Sequence, residues 1–208
     1  VYEIFRDNWV NPGYGGGDKQ PGIWWDTYIN DVHFICIDGR YYRTDPKKTK
    51  GEPSMLGPAQ KRWLLSTIKE SRGTFKVLIS PVPWVFKAKG DSRDTWSGFK
   101  KERNEIFTFL TENKIEGVVL MSADRHRSDL WKIDRPDDYA LYEFNSSRLT
   151  NQHVHKTMEA AIFSYNAKQS FGTVDFDTTA ADPTATYRIH TIDGEQVFQH
   201  TVKRNELN

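Results

Sequence analysis

The sequence predicts a layered α/β protein, and three features carry that expectation. Between Val32 and Met121 an apolar strand, an amphipathic helix, a second strand, a second helix and a third strand follow one another, the order of βαβ units. After residue 127 the chain turns to short strands of alternating character. The 208 residues are 37% hydrophobic and 27% charged, enough apolar material for one domain with its own core.

Residues 1–22, with Asn11-Pro12-Gly13 and Gly15-Gly16-Gly17, read as a loop. Ile23 to Ile29 and Val32 to Ile37 read as two strands joined at Asn30-Asp31, a short hairpin connection. In the second strand Val32, Phe34 and Cys36 face one way, and His33, Ile35 and Ile37 the other. Residues 38–57 form a polar loop in which Lys47, Lys48 and Lys50 are expected to be solvated. A helix begins at Pro58, placing Gln60, Trp63, Leu64, Thr67 and Ile68 on one face, and Gly73 follows its end.

Phe75 to Ser80 is a strand and 81–97 a second long loop. The next helix runs from about Gly98 to Asn113, with Phe99, Ile106, Phe107 and Leu110 as its apolar stripe. Arg103 falls on that stripe and needs a partner, since an unpaired buried charge is costly; Asp91 or Asp94 would supply one. Val118 to Met121 is a strand, followed by strands at Leu130–Ile133, Tyr139–Phe144, Phe171–Phe176, Thr184–Ile189 and Gln196–Val202, with Asp193-Gly194 as a hairpin turn. The segment 146–169 reads as a loop with a short helix around Met158 to Tyr165.

Several chemistries are excluded or unsupported. Lys plus Arg number 29 against 28 Asp plus Glu, a balance that argues against a nucleic-acid footprint. The single cysteine, Cys36, forbids an intrachain disulfide and sits in an apolar strand as a buried thiol. No stretch approaches the roughly 20 apolar residues of a membrane-spanning helix. There is no Gly-rich phosphate loop leading into a helix and no Gly-x-Ser-x-Gly elbow.

Three groups of residues could carry chemistry. Ser122-Ala123-Asp124-Arg125-His126 follows a short apolar strand, and ligands of open α/β sheets bind beyond the carboxyl ends of strands. In an extended loop Asp124 and His126 point to the same side, and a carboxylate with an imidazole is a hard and borderline metal-ligand pair. Spacing alone favours a surface turn, and two ligands fall short of the usual three. Arg40, in Asp38-Gly39-Arg40 past another strand end, either clamps a phosphate or pairs with Asp38 or a neighbouring loop. His153 and His155 lie in a polar loop able to approach the same place, where they would contact substrate.

Five motifs in order resemble the C-terminal half of the PhoD-like alkaline phosphatases. They are Ile37-Asp38-Gly39-Arg40-Tyr41-Tyr42-Arg43, Met55 to Leu64, Asp94-Thr95-Trp96-Ser97-Gly98-Phe99 with Arg103, Val118 to His126, and Tyr142 to Ser147 with Ser170 to Val174. The resemblance implies a metallophosphoesterase-type β-sandwich flanked by helices in α-β-β-α layers. Residues 1–208 would form the C-terminal half of one domain, with 127–208 mostly strands closing the second sheet. It implies hydrolysis of phosphate mono- or diesters by a two-metal-activated water, with calcium and iron as the metals. Asp124 and His126 fall on the family's metal-binding Gly-Asp-x-His motif, with Ala123 in place of its Gly. The change suits the turn if the backbone there avoids positive φ.

The remaining ligands would come from an N-terminal half that is the chain's expected partner. The family resemblance also implies a secreted or periplasmic protein. Two other readings compete: a β-rich carbohydrate-binding module using Trp24, Trp25 and Trp84, and a catalytically dead phosphatase-like scaffold.

Overall fold

A computed structural model of the protein describes residues 2–86, 88–150 and 152–208, and of Asp91 the backbone only. The first element departs from expectation: α1 (Tyr2–Asn8) is a seven-residue helix where a loop is predicted. It buries none of its residues, so no apolar stripe announces it. The hairpin forms as expected from β1 (Trp25–Ile29) and β2 (Val32–Cys36). Asn30 takes the left-handed conformation, φ 51°, that its tight turn requires.

The helix α2 (Gly57–Lys69) leads to β3 (Phe75–Ser80). The following loop contains a short extended stretch, β4 (Ala88–Asp91), and a 3-10 turn at Trp96–Gly98 before α3 (Lys100–Glu112). Next come β5 (Val118–Ser122), β6 (Ser128–Arg135), β7 (Asp138–Ser146), β8 (Phe163–Tyr165), β9 (Ser170–Asp177), β10 (Thr184–Thr191) and β11 (Gln196–Lys203).

Seven strands make one sheet in the order β1-β2-β3-β5-β7-β6-β8. Its centre, β2, β3, β5 and β7, is parallel, and β1, β6 and β8 run antiparallel to their neighbours. The central strands bury both faces, as parallel strands do. Ile35, Leu78 and Leu120 pack under Leu64, Ile68, Ile106 and Leu110 of the two helices. Val32, Val77, Val119 and Phe144 pack on the opposite face against Ala185, Tyr187, Ile189 and Val202 of a three-stranded sheet ordered β11-β10-β9. The result is a helix layer, a large mixed sheet and a small antiparallel sheet, the α/β fold class the sequence predicts. The outer face of the small sheet, with Thr173, Asp175 and Gln199, is exposed.

Three expectations need correction. Residues 163–165 are a strand, not part of a helix. Ile162 donates to the Leu130 carbonyl at 2.9 Å, and Phe163 stacks on Phe198 with ring centroids 4.1 Å apart. Edge pairing and aromatic contact outweigh the weak helical pattern. Of the two aspartates predicted as partners of Arg103, Asp94 is held by other cations, and the Asp91 side chain lies outside the described residues. The Arg103 guanidinium lies 3.9 Å from the Phe86 ring centre and 4.3 Å from that of Phe107, and Nη1 donates to Asn104. Aromatic faces thus take the place of a carboxylate, and burial lowers the Arg103 pKa to about 10, partly offset by the charge of Glu143. Finally, of the strands after residue 127 only β9–β11 form the second sheet, while β6–β8 extend the first. No helix among the described residues is long and apolar enough to cross a membrane.

Candidate active site at the carboxyl edge of the sheet

Parallel β2, β3, β5 and β7 all end on one edge, so the segments that follow them emerge side by side. These segments hold the metal, phosphate and substrate candidates named from sequence, Arg40 beside Asp38 after β2, Asp124 and His126 after β5, and His153 and His155 after β7, together with Asp94 after β3. The edge of a largely parallel sheet is where such folds place their sites.

The loop after β2 is built around Asp38, which is buried. One carboxylate oxygen accepts from the backbone amides of Arg40 and Tyr41 at 2.8 and 3.0 Å, the other from Ile23 at 3.1 Å. Gln60, fully buried on α2, clasps the backbone of the same residue: its oxygen accepts from Asp38 N at 2.6 Å and its amide donates to Asp38 O at 2.8 Å. Gly39 is required here, because a Cβ would lie 2.8 Å from the Pro81 ring. Asp38 is therefore an organiser of the turn, and it is not the ion-pair partner of Arg40.

Arg40 reaches the neighbouring loop instead, its Nη1 3.1 Å from Asp94. Asp94 also takes Arg43 at 2.9 Å and Lys89 at 3.3 Å. Burial pushes the Asp94 pKa up, but the hydrogen bond from Arg43 and the charges of Arg40 and Arg43 outweigh it and hold the carboxyl below its ordinary value. Lys89 continues the chain of charges to Asp124 at 3.8 Å. Arg43 and Lys89 carried no role in the sequence reading, which named Asp94 only as a possible partner of Arg103. The position of Asp94 at the head of a motif is the signal that could have placed it at this edge.

The turn after β5 is not extended. Asp124 and His126 both adopt left-handed backbone, φ 64° and 50°, so the expected period-two alignment of their side chains does not apply. Ala123 is not among the positive-φ residues, which is why alanine is tolerated where the family carries glycine. The strained turn is held by Ser147, whose hydroxyl oxygen accepts from the amides of Arg125 at 2.7 Å and His126 at 3.0 Å. Asn145 ties the start of the turn by donating to Ser122 at 2.8 Å and to the Ala123 carbonyl at 3.2 Å. Behind it, fully buried Glu143 accepts from the amides of Trp84 and Val85 at 2.9 and 2.8 Å and from the Ser122 hydroxyl. Burial raises its pKa against the pull of these donors. The Tyr142–Ser147 motif thus joins the loops after β3, β5 and β7.

His153 and His155 do come to His126. The three rings lie with centroids 4.9 to 5.7 Å apart. The pKa of His155 is lowered to about 4, first by burial and then by the positive charge of Arg125 and the neighbouring histidines. By contrast, a cavity of about 710 Å³ along α3, lined by Phe86, Arg103, Phe107, Ile133 and Arg135, includes none of these loop residues. Of the three indoles proposed for sugar stacking, Trp84 is fully buried and stacked on Trp96 at 4.6 Å, Trp24 is 3% exposed, and Trp25 is half-buried.

Fold and edge together define a layered α/β protein with a charged, histidine-bearing site at the carboxyl ends of its parallel strands. The sequence model of the PhoD-like phosphatases matches residues 22–201, and the chain belongs to that family. Over 119 residues it is 28% identical to alkaline phosphatase D of Bacillus subtilis strain 168, an alignment spanning 49% of this chain and 20% of that protein. The solved structure of PhoD superposes with a TM-score of 0.68 at 18% identity, covering 98% of this chain and 45% of the other. The chain therefore spans less than half the length of that solved relative, and the structural likeness speaks to fold.

Proposed function

We propose that this chain forms part of the active site of a metal-dependent phosphoester hydrolase, with Asp124 and His126 as metal ligands. The observation that carries the reading is the Asp124-Arg125-His126 turn at the carboxyl end of β5, held in left-handed backbone by Ser147. Strained turns of this kind persist where surrounding structure over-determines them, and they cluster at functional sites.

The donors fit the metals that the resemblance implies. A carboxylate and an imidazole suit iron, and calcium takes oxygen donors, of which Asp124 offers one. Metal ions bound there would supply a low-pKa water and polarise the phosphoryl oxygens. Two donors are too few to hold a metal alone, so the reading assigns the remaining ligands to residues outside these 208. Lys89 stands 3.8 Å from Asp124 as an ion-pair partner. Arg40, its side chain 56% exposed and steadied by Asp94, is placed to neutralise charge developing on phosphoryl oxygens.

The test is made on the complete phosphatase, with p-nitrophenyl phosphate and its bis ester as mono- and diester probes and metal content by elemental mass spectrometry. Asp124→Ala and His126→Ala are each expected to lose metal and at least about 100-fold in turnover, the scale on which a first ligand or charge-stabilising group contributes. Asp124→Ala with metal content and turnover both unchanged would refute the proposal.

A further inference from the structure

The family motif accounts for Asp124 and His126 but not for the two histidines that the chain brings to His126 from 27 and 29 residues further on. One ring nitrogen from each of His126, His153 and His155 lies within 4.8 Å of the other two. Asp124 is not part of this group, and its carboxylate lies near Lys89 instead. We propose that His126, His153 and His155 form a three-imidazole site for a borderline transition-metal ion of the zinc(II) class.

Three arguments support the site. The first is tautomer. Nδ1 of His126 lies 2.9 Å from the backbone carbonyl of His153, and a carbonyl only accepts, so Nδ1 carries the proton and Nε2 keeps its lone pair for a metal. A second-sphere carbonyl on the non-ligating nitrogen is the usual arrangement for metal-bound histidine. The same contact ties the two loops together at the site.

The second is anchoring. The His126 amide is fixed by Ser147, and the His155 carbonyl accepts from the Asn166 side-chain amide at 2.9 Å. Asn166 is held in turn by the Arg148 guanidinium, and the Arg148 carbonyl accepts from Ser170 on β9 at 2.8 Å. The loop is thereby referenced to the sheet on both sides of the cluster.

The third is chemistry. Three neutral imidazoles with one open position match the ligand set of catalytic zinc sites. Nitrogen donors select zinc and its neighbours in the first transition series over calcium or magnesium. Nearby cations do not forbid the charge: Arg127 is neutralised by Asp129 through two contacts of 2.9 and 2.7 Å, and Arg125 has Asp124 and Asp129 as electrostatic partners. His153 is exposed, so water can complete the coordination. The assignment gives His153 and His155 a ligand role in place of the substrate contact expected from their loop. It does not depend on phosphoester hydrolysis, because zinc can bind here in a protein that turns over nothing.

The experiment is calorimetric titration of the 208-residue chain with zinc chloride, with cobalt(II) absorption as a report on ligand number and geometry. One zinc per chain is expected, with affinity weakened at least about tenfold in His153→Ala and in His155→Ala, and unchanged in His190→Ala, a histidine on β10. His155→Gln, which keeps polarity and size, is expected to lose zinc equally while retaining the native circular dichroism, so that lost binding is separated from lost folding. A hundredfold excess of calcium is expected to leave zinc in place.

Failure to bind zinc, displacement by calcium, or binding that survives in both His153→Ala and His155→Ala overturns the proposal. If binding survives in those two variants and is lost in Asp124→Ala, the metal belongs to the Asp124–His126 pair, and the hydrolase reading stands without the three-histidine site. Zinc bound by the three histidines alongside a complete enzyme without phosphatase activity keeps this site and removes that reading.

Discussion

Asp94 gathers Arg40, Arg43 and Lys89 around one carboxylate, and its consequence for stability has a definite sign. Its folded pKa is depressed, so its contribution is fully present above the unfolded carboxylate value of about 4 and is lost as pH falls through the lower folded value. Asp94→Asn should destabilise the protein at pH 7 by about 1 kcal/mol or less, since the group is 38% exposed and its partners are partly screened. The wild-type and variant urea midpoints should converge as pH is taken down to about 3. A difference that stays constant from pH 7 to pH 3 would show that the carboxylate charge is not what Asp94 contributes. At the same scale, burial pushes the Cys36 thiol up to about 11, which keeps it protonated and inert near neutral pH.

Among the elements, the start of α2 shows how a helix can be capped from elsewhere in the chain. Leu56 at its N-cap offers no side-chain acceptor. The need is met by Glu102 of α3, whose carboxylate accepts from Met55 N at 2.6 Å, from Ser54 Oγ at 2.8 Å and from Leu56 N at 3.4 Å. The Ser54 hydroxyl then accepts from Gly57 N at 2.8 Å. A carboxylate facing helix amides also sits favourably in the dipole field. Glu102 is 6% exposed, so Glu102→Ala leaves buried donors without a partner and should cost about 2–3 kcal/mol. Thermal or urea unfolding checks this, and a loss within about 0.5 kcal/mol, typical of an ordinary surface change, would show that water replaces the carboxylate. Gly57 contributes differently: its φ of +71° places it where a side chain would be strained, with a Cβ only 2.9 Å from that of Tyr42.

At the scale of the whole molecule, two sheets are joined mainly by apolar contact, with Tyr187 as a polar tie. Its ring stacks on Phe144 at 4.8 Å, and its hydroxyl donates to the Asn145 carbonyl at 2.9 Å. Asn145 is also the residue that anchors the Asp124 turn, so the small sheet braces the candidate site from behind. Tyr187→Phe keeps the ring and removes the donor, and should cost about 1 kcal/mol. In hydrogen-exchange measurements the amides of the 124–126 turn should exchange faster while those of β3 stay protected, since local opening need not involve the core. Equal acceleration in both places would mean that the tie supports the entire fold and not the site in particular.

The sequence by itself determined the layer type, the parallel centre and the edge at which chemistry should sit, because these follow from periodicity and from the order of strands and helices. It also supplied, through motif order, the family to which the chain belongs. It left the short helix α1 and strand β8 unread: one buries no side chain, and the other is decided by pairing with β6. It could not show that Asp38 serves its own turn, that Arg103 is held between two rings, or that Arg40 and Lys89 share Asp94. Above all, only the tertiary structure could bring His153 and His155 to His126. Spacing along the chain fixes local geometry over a few residues. Contacts between loops from different strands depend on which strands lie side by side, and strand order is set by the packing of the whole sheet.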